Sequence, residues 1–396
     1  MPEKSRYKKI ELQETNMKLV IHDLQKEEWG KFSHDYRGWK VISEKPIRPC
    51  NGCFCCWHKT PGQCVIKDGF ENMGKLIHVA DEITVVSRYT YGGFSSFIKN
   101  VFDRCLGYVL PQFEVVQGET HHKRRYDEDK PFSFVFYGKK LNEEEKESAR
   151  RYVKAVCANI RGHVKEVTFK EILYVPVPEK RIPYQTYERA VLLNPSMRST
   201  NANSYRFAKE LSKKLKKEHE IVNMQQYLNE PEKLMQKLDS APIIVLCTPL
   251  YVDGLPSQLI KLMERFEKEY HGLRKKIYVL ANMGLYESSQ LENLFEAVKQ
   301  WCTEMGFEYC GGLGISAGEL IGTLIQHIRL STGPGKKNNR GMKKLAKAIN
   351  TGSTTKDIYT EPFLFPRSLY IHIANSNWNT LAKRNGLKPE DLYRQV

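Results

Sequence analysis

Long apolar runs are missing from this sequence. No segment approaches the about 20 consecutive apolar residues that a membrane-spanning helix needs, which excludes a helical membrane protein. The first residues, Met1 to Lys9, are charged and contain no apolar export core, so a cytoplasmic location is expected. Compact basic motifs interleaved with aromatics are missing too. The formal net charge is +16, yet Lys and Arg are scattered along helical segments such as Lys209 to Lys217 in the manner of solvated faces. Neither nucleic acid nor a membrane is therefore an expected partner. No Ser/His/Asp triad is visible either. With 41% hydrophobic and 27% charged residues, the composition does not indicate disorder.

What is present is a repeating pattern. At 396 residues the chain is long for a single core and fits two domains. Short β-branched runs alternate with longer amphipathic stretches, the signature of βαβ units around a parallel sheet. In the second half, strands are expected near Ala190–Leu193, Glu220–Val222, Ile243–Cys247, Ile277–Ala281 and Tyr309–Ile315. Helices are expected near Ser204–Lys217, Glu230–Leu238, Ser257–Tyr270 and Gln290–Met305. Five parallel strands with crossover helices give a three-layer α/β sandwich. The first half repeats the pattern less completely. Its strands are expected near Lys18–Ile21, Lys40–Ile42, Ile83–Val86, Phe132–Phe136 and Val164–Thr168, and its helices near Phe94–Cys105 and Glu143–Ile160.

One internal match supports a duplication. Ile83-Thr-Val-Val-Ser-Arg-Tyr-Thr-Tyr-Gly-Gly-Phe-Ser-Ser, closing on Asp103-Arg104, aligns with Ile244-Val-Leu-Cys-Thr-Pro-Leu-Tyr-Val-Asp-Gly-Leu-Pro-Ser, closing on Glu264-Arg265. The expected layout is a first domain over 1–173, a proline-bearing linker over 174–187, and a second domain over 188–396 with a C-terminal extension.

In the second half, the first strand runs into Asn194-Pro-Ser-Met-Arg-Ser-Thr-Asn-Ala-Asn-Ser204, where a helix begins. Backbone N–H groups at a helix start are unpaired and carry partial positive charge, which suits an anion. Ser196, Ser199, Thr200, Asn201 and Asn203 add short donors, and Arg198 adds charge. Ligands of open α/β sheets bind at this carboxyl edge.

This loop resembles the phosphate loop of NAD(P)H-dependent FMN reductases and related flavodoxin-like proteins. Thr248-Pro-Leu-Tyr-Val-Asp-Gly-Leu-Pro-Ser257 resembles their flavin-edge loop, and Asn282-Met-Gly-Leu-Tyr-Glu287 falls where they border the isoalloxazine. The resemblance implies two tandem flavodoxin-like sandwiches, with FMN held by the second. The implied cofactor residues are Ser196, Arg198, Ser199, Thr200, Asn201, Asn203 and Ser204, then Pro249, Leu250, Tyr251, Val252, Asp253 and Gly254, then Asn282, Gly284 and Tyr286. The chemistry would be the cofactor's, with no catalytic side chain required. NAD(P)H would be the co-substrate, and a small-molecule electron acceptor such as a flavin or quinone the partner.

Five of the ten cysteines lie between Cys50 and Cys64. Cys50, Cys53, Cys56 and Cys64 form a C-x₂-C-x₂-C-x₇-C pattern suited to an iron–sulfur cubane, and less to structural zinc. The motif resembles that of iron–sulfur flavoproteins. Two readings stand at this point: a [4Fe–4S] site, or a reduced, packed cysteine loop.

The first half departs from the flavin pattern. His22-Asp-Leu-Gln-Lys-Glu-Glu28 follows its first strand with no Ser/Thr-rich loop, and Arg88 stands where the second half has Pro249. A single FMN per chain is expected, with the halves forming an internal pseudo-dimer and whole chains free to associate further. Two other functions stay open: an electron-transfer flavoprotein serving a protein partner, and a binding protein without cofactor. The stretch Ser331 to Gly341 reads as a mobile basic loop, and the aromatic tail after Glu361 as a segment packed in the core or over the partner domain.

Overall fold

The computed structural model describes residues 17–172 and 181–396. The expected linker falls partly outside these residues, as do Met1 to Lys9.

The first domain runs β1 (Lys18–His22), α1 (Lys26–Phe32), β2 (Lys40–Ile42), α2 (Cys55–His58), α3 (Met73–Val79), β3 (Glu82–Arg88), α4 (Ser96–Asp103), β4 (Val109–Val116), β5 (Glu119–Arg124), β6 (Pro131–Gly138), α5 (Glu143–Asn159) and β7 (His163–Glu171). Its five-stranded sheet has the order β2-β1-β3-β6-β7, with every pairing parallel. β4 and β5 form a separate antiparallel hairpin inserted after α4. Without that hairpin the order is 2-1-3-4-5, the doubly wound order of flavodoxin-like folds.

The second domain runs β8 (Arg189–Asn194), α6 (Asn203–Ser212), β9 (Glu218–Asn223), α7 (Pro231–Asp239), β10 (Ile243–Pro249), α8 (Ser257–Glu269), β11 (Lys276–Asn282), α9 (Glu292–Met305), β12 (Glu308–Ile315), α10 (Gly318–Leu324), α11 (Lys336–Thr351), β13 (Ile358–Thr360) and α12 (Arg367–Arg384). Its sheet has the order β13-β12-β11-β10-β8-β9, again all parallel. β13 adds a sixth strand to the five expected. It is three residues long, too short to leave a pattern in the sequence.

The central strands are buried on both faces. Ile244 and Leu246 point into one core, while Ile243 and Val245 point into the other. That is why β10 reads as an unbroken apolar run rather than an alternation. Among the described residues no helix is long and apolar enough to cross a membrane.

The Ser331–Gly341 stretch differs from expectation. Helix α11 begins at Lys336, and Gly335, Asn338, Asn339 and Gly341 are buried. Met342, Leu345, Ala346 and Ile349 pack this helix on the sheet, and Asn338 donates to Thr360 Oγ1 at 2.9 Å. The polar start hid an amphipathic helix whose apolar face comes later.

The two domains pack α4 against α8, and the contact is made in both directions. Asp103, at the end of α4, accepts a hydrogen bond from the Ser257 N–H at the start of α8, at 2.9 Å. Glu264 of α8 accepts from the Ser96 N–H and hydroxyl at the start of α4, at 3.3 and 2.7 Å. Each helix thus supplies an acid to cap the other. These are the positions that the internal match aligns. Around this seam, Arg88 pairs with Glu264 at 2.6 Å and the Tyr91 hydroxyl donates to Glu267 at 2.7 Å.

The C-terminal segment leaves the second domain and lies on the first. Asn375 of α12 exchanges two hydrogen bonds with the backbone of Phe113 on β4, at 2.7 and 3.1 Å. Arg125 then holds the carbonyls of Leu392 and Arg394, both at 2.7 Å.

Candidate functional site

A cavity of about 920 Å³ opens between the domains. It falls within the about 300–1,000 Å³ common for cofactor and substrate sites. Four sequence segments named above meet on its wall: the loop after β8, the turn after β10, the loop after β11 and the cysteine loop.

The loop after β8 is built around a residue that the sequence did not flag. Asn194 is fully buried. Its Nδ2 donates to Ser199 O at 3.1 Å and to Asn223 Oδ1 at 2.8 Å. Its Oδ1 accepts from the Ser196 N–H at 3.3 Å and from the Ser204 hydroxyl at 2.8 Å. Ser204 is therefore part of the staple rather than of the cavity wall. Asn203 is also turned inward, accepting from Arg206 at 2.8 Å. Ser199 is half-buried and Thr200 exposed, and neither lines the cavity. Arg198 and Asn201 do line it. Among the described residues Arg198 has one acidic neighbour, Glu319, at 3.5 Å, a single contact for a group with five N–H donors. Ser196 is buried, and its hydroxyl oxygen accepts the Arg198 N–H at 3.3 Å.

The turn after β10 brings Leu250, Tyr251, Val252 and Asp253 to the wall. Val252 and Asp253 have φ of 36° and 58°, and Tyr251 bridges Gly254. Consecutive left-handed residues make a tight turn of the kind that joins hairpin strands. The first domain repeats it, with Tyr91 and Gly92 at φ 48° and 84° and Thr90 bridging Gly93. Pro249 ends β10 in register with Asn282 and stays off the wall. Gly254 faces the first domain, since a Cβ there would meet Tyr152 at 3.1 Å and Lys99 Cε at 3.3 Å.

After β11, Met283, Gly284 and Leu285 line the cavity, and a Cβ on Gly284 would meet open space. Asn282 is buried, with no partner for its Oδ1 among the described residues. Tyr286 points elsewhere. Its hydroxyl donates to Phe365 O at 2.7 Å, so it anchors the C-terminal segment.

The cysteine loop sits against these elements. Cys50 and Cys53 line the cavity beside Arg198 and Tyr251. A Cβ on Gly52 (φ 61°) would fall 2.1 Å from the Tyr251 hydroxyl, so only glycine allows this approach. Burial pushes the Cys50 thiol up to about 12, with smaller contributions from Asp103 and from the thiols of Cys64 and Cys53. Burial also raises Cys56 well above the usual thiol range, and Cys50, Cys64 and Cys53 add to the effect. The four thiols of the motif are thus electrostatic neighbours. Two of their sulfurs accept N–H bonds: Cys50 from Gly52 at 3.4 Å, and Cys64 from Arg104 Nε at 3.2 Å. Arg104 also clamps Asp68 through two 2.9 Å bonds. Among the described residues, no three His, Cys, Asp or Glu side chains are grouped for a single metal ion.

Part of the remaining wall is aromatic. Trp57 stacks on Phe54 at 5.2 Å and meets Trp378 of α12 edge-on at 5.3 Å. His122 lies 4.6 Å from Trp57 and 4.8 Å from Phe113, and burial pulls it down to about 4. The aromatic count of the tail was the one signal in the sequence for this surface.

The corresponding corner of the first domain is filled. His22 stacks on Trp29 at 3.8 Å. Asp23 accepts the Arg88 N–H on both oxygens at 3.1 Å, and burial pushes its carboxyl up to about 6.

Comparison with known proteins gives a family match within the second domain and several partial likenesses. Residues 189–313 match the NADPH-dependent FMN reductase family. A curated iron–sulfur flavoprotein from Archaeoglobus fulgidus is 31% identical over 81 residues, covering 20% of this chain and 40% of that protein. The match thus spans two-fifths of that relative's length. Among solved structures, a flavone reductase is 13% identical, with 42% of this chain and 66% of that one covered at a TM-score of 0.31. An FMN-dependent NADH-azoreductase from Bacillus anthracis is 12% identical, with 41% and 99% covered at a TM-score of 0.29.

Proposed function

We propose that this protein is an FMN-dependent oxidoreductase that takes hydride from NAD(P)H and reduces a small-molecule acceptor in the cavity between its domains. One observation carries the reading. The loop after β8, the turn after β10 and the loop after β11 all open onto a single cavity at the carboxyl ends of the strands. That edge is where open α/β sheets bind ligands. All three segments lie in the stretch that matches FMN reductases.

FMN, when bound, supplies two-electron exchange with nicotinamide and onward transfer in one or two steps. The chain's part is placement. Arg198 and the N–H groups ahead of α6 would hold the phosphate. Leu250, Met283 and Leu285 give an apolar wall that excludes water. The first domain would close the opposite side, making the chain an internal dimer with one cofactor site, because Asp23 and Trp29 fill its own corner.

The test is the protein's absorbance spectrum, with released FMN quantified and NAD(P)H oxidation followed. About one FMN per chain and acceptor-dependent oxidation support the reading. No flavin after reconstitution sinks it.

A second reading rests on Cys50 and Cys53 lining the same cavity as Arg198 and Tyr251. A [4Fe–4S] cluster on Cys50, Cys53, Cys56 and Cys64 would give single electrons an outlet, and a redox protein would become the natural partner. The Cys50 and Cys64 sulfurs accept N–H bonds, as the sulfurs of a cluster's ligands would. Iron and sulfide in anaerobically purified protein support this; FMN without iron leaves the loop as structure.

A further inference from the structure

Among the described residues, three carboxyl groups line the cavity: Asp103, Asp253 and Glu319. Two are committed. Asp103 is ion-paired with the equally buried Lys99 and caps Ser257, while Glu319 is half exposed and faces Arg198. Asp253 is different. It is 3% exposed, and no ammonium or guanidinium pairs with it among the described residues. Its hydrogen bond comes from Asn159 Nδ2, at 2.6 Å to Oδ2. A carboxylate buried without a cationic partner is costly, so such a group holds its proton.

The surroundings extend outward. Asn159 Oδ1 meets His121 Nδ1 at 2.8 Å, and His121 Nε2 lies 3.6 Å from Glu119, whose side chain is 46% exposed. The groups facing Asp253 are Lys99 on α4, His121 and Glu119 on β5, and Tyr152 and Cys157 on α5. Burial outweighs the lowering effects of Asn159, His121 and Lys99, and the carboxyl is pushed up to about 6. Other cavity groups are poor acids for this purpose. Burial keeps His122 neutral, the Tyr251 phenol is pushed up, and both ring nitrogens of His58 are engaged, by Cys53 O and Asn385.

We propose that Asp253 is the proton donor to the acceptor, a role that rests on the FMN-dependent reading above. Hydride that originates from NAD(P)H and would reach the acceptor by way of FMN bonds to one end of the acceptor's conjugated π system, which in a quinone is one carbonyl oxygen. The π bonds shift along that system, and an electron pair moves to the heteroatom at the other end. The Asp253 O–H bond breaks, and its proton goes to that heteroatom. The product leaves neutral, and the Asp253 carboxylate takes a proton from solvent, with His121 and Glu119 marking the outer end of the network. Without this proton, a new anion would form against an apolar, aromatic wall. Asn159 fixes the carboxyl through Oδ2.

The experiment uses the full chain loaded with FMN and menadione as the acceptor. Flavin re-oxidation is followed by stopped flow between about pH 5 and 8. In the parent protein the rate falls by up to about tenfold per pH unit above about 6, as the acid is lost. Asp253→Asn, which tolerates the same backbone, keeps its FMN, loses roughly 100-fold at low pH and gives a flat profile. Asn159→Ala moves the midpoint upward, because a bond to the carboxylate is gone. Asp23→Asn, altering a carboxyl of similar burial outside the cavity, leaves the profile as in the parent. Asp253→Asn with full FMN and an unchanged profile overturns the proposal, as does an equal shift from Asp23→Asn. Absence of FMN in the parent protein overturns the underlying reading instead, and the two failures are told apart by absorbance.

Discussion

At the residue scale, Arg198 is the only guanidinium on the cavity wall among the described residues. Its 3.5 Å contact with Glu319 is partly exposed and contributes little to stability. Arg198→Ala should therefore leave the melting temperature nearly unchanged while weakening FMN binding by about 1.5–3 kcal/mol, roughly ten- to a hundredfold. A flavin fluorescence titration checks this, and an unchanged Kd would place the phosphate elsewhere. Asp23 allows a pH prediction. Its carboxyl is raised from 3.8 to about 6 by burial, so folding favours the protonated form. The associated stability is fully present below about pH 4 and is lost as pH rises through about 6, on the order of 2–3 kcal/mol. Asp23→Asn should remove that part of the pH dependence in denaturant titrations at pH 4 and 7. Of the loop residues proposed from sequence for the cofactor, Arg198 and Asn201 reach the wall, whereas Asn203 and Ser204 are turned inward. All are polar and close in sequence. Only the fold of the Asn194 staple separates those that face a ligand from those that hold the loop.

At the scale of elements, α4 and α8 cap each other, but the two caps are unequal. Glu264 pairs with the partly exposed Arg88, whereas Asp103 also neutralises Lys99, which has no exposure at all. Glu264→Gln should cost about 0.5–2 kcal/mol, in the range of a lost cap. Asp103→Asn leaves a buried ammonium unpaired and should cost about 3–5 kcal/mol. Chemical denaturation of both variants tests the order; equal losses would mean that Lys99 finds another partner. The acid-Arg pair at the end of each copy was visible in the sequence, as were β8, β10 and α8, because long apolar runs and 3.6-residue periods are local signals. The β4–β5 hairpin and the three-residue β13 were not. The hairpin interrupts a βαβ pattern, and β13 exists only because an edge of β12 was open to pair with it.

For the whole molecule, the fold-level prediction is stoichiometric. One corner carries a phosphate-type loop facing a cavity, and the equivalent corner is packed with His22, Asp23 and Trp29. Quantified release should give about one FMN per chain; two per chain would show that the first corner opens to admit a second. The tail matters at this scale as well. Trp378 on α12 touches Phe54 and Trp57 of the cysteine loop, at 5.7 and 5.3 Å. The second domain thus helps to hold the first domain's cysteines next to its own candidate flavin site.

The sequence by itself determined the α/β class, the parallel sheets, the repeated turn and the candidate phosphate loop, since each depends on residues near one another in the chain. It also marked the four spaced cysteines. What only the tertiary structure decided is convergence. Cys50 beside Tyr251, Asp253 bonded to Asn159, and α12 against β4 are contacts between residues far apart in sequence. Such contacts leave no periodic trace, because they arise where two separately folded surfaces meet and exclude water together.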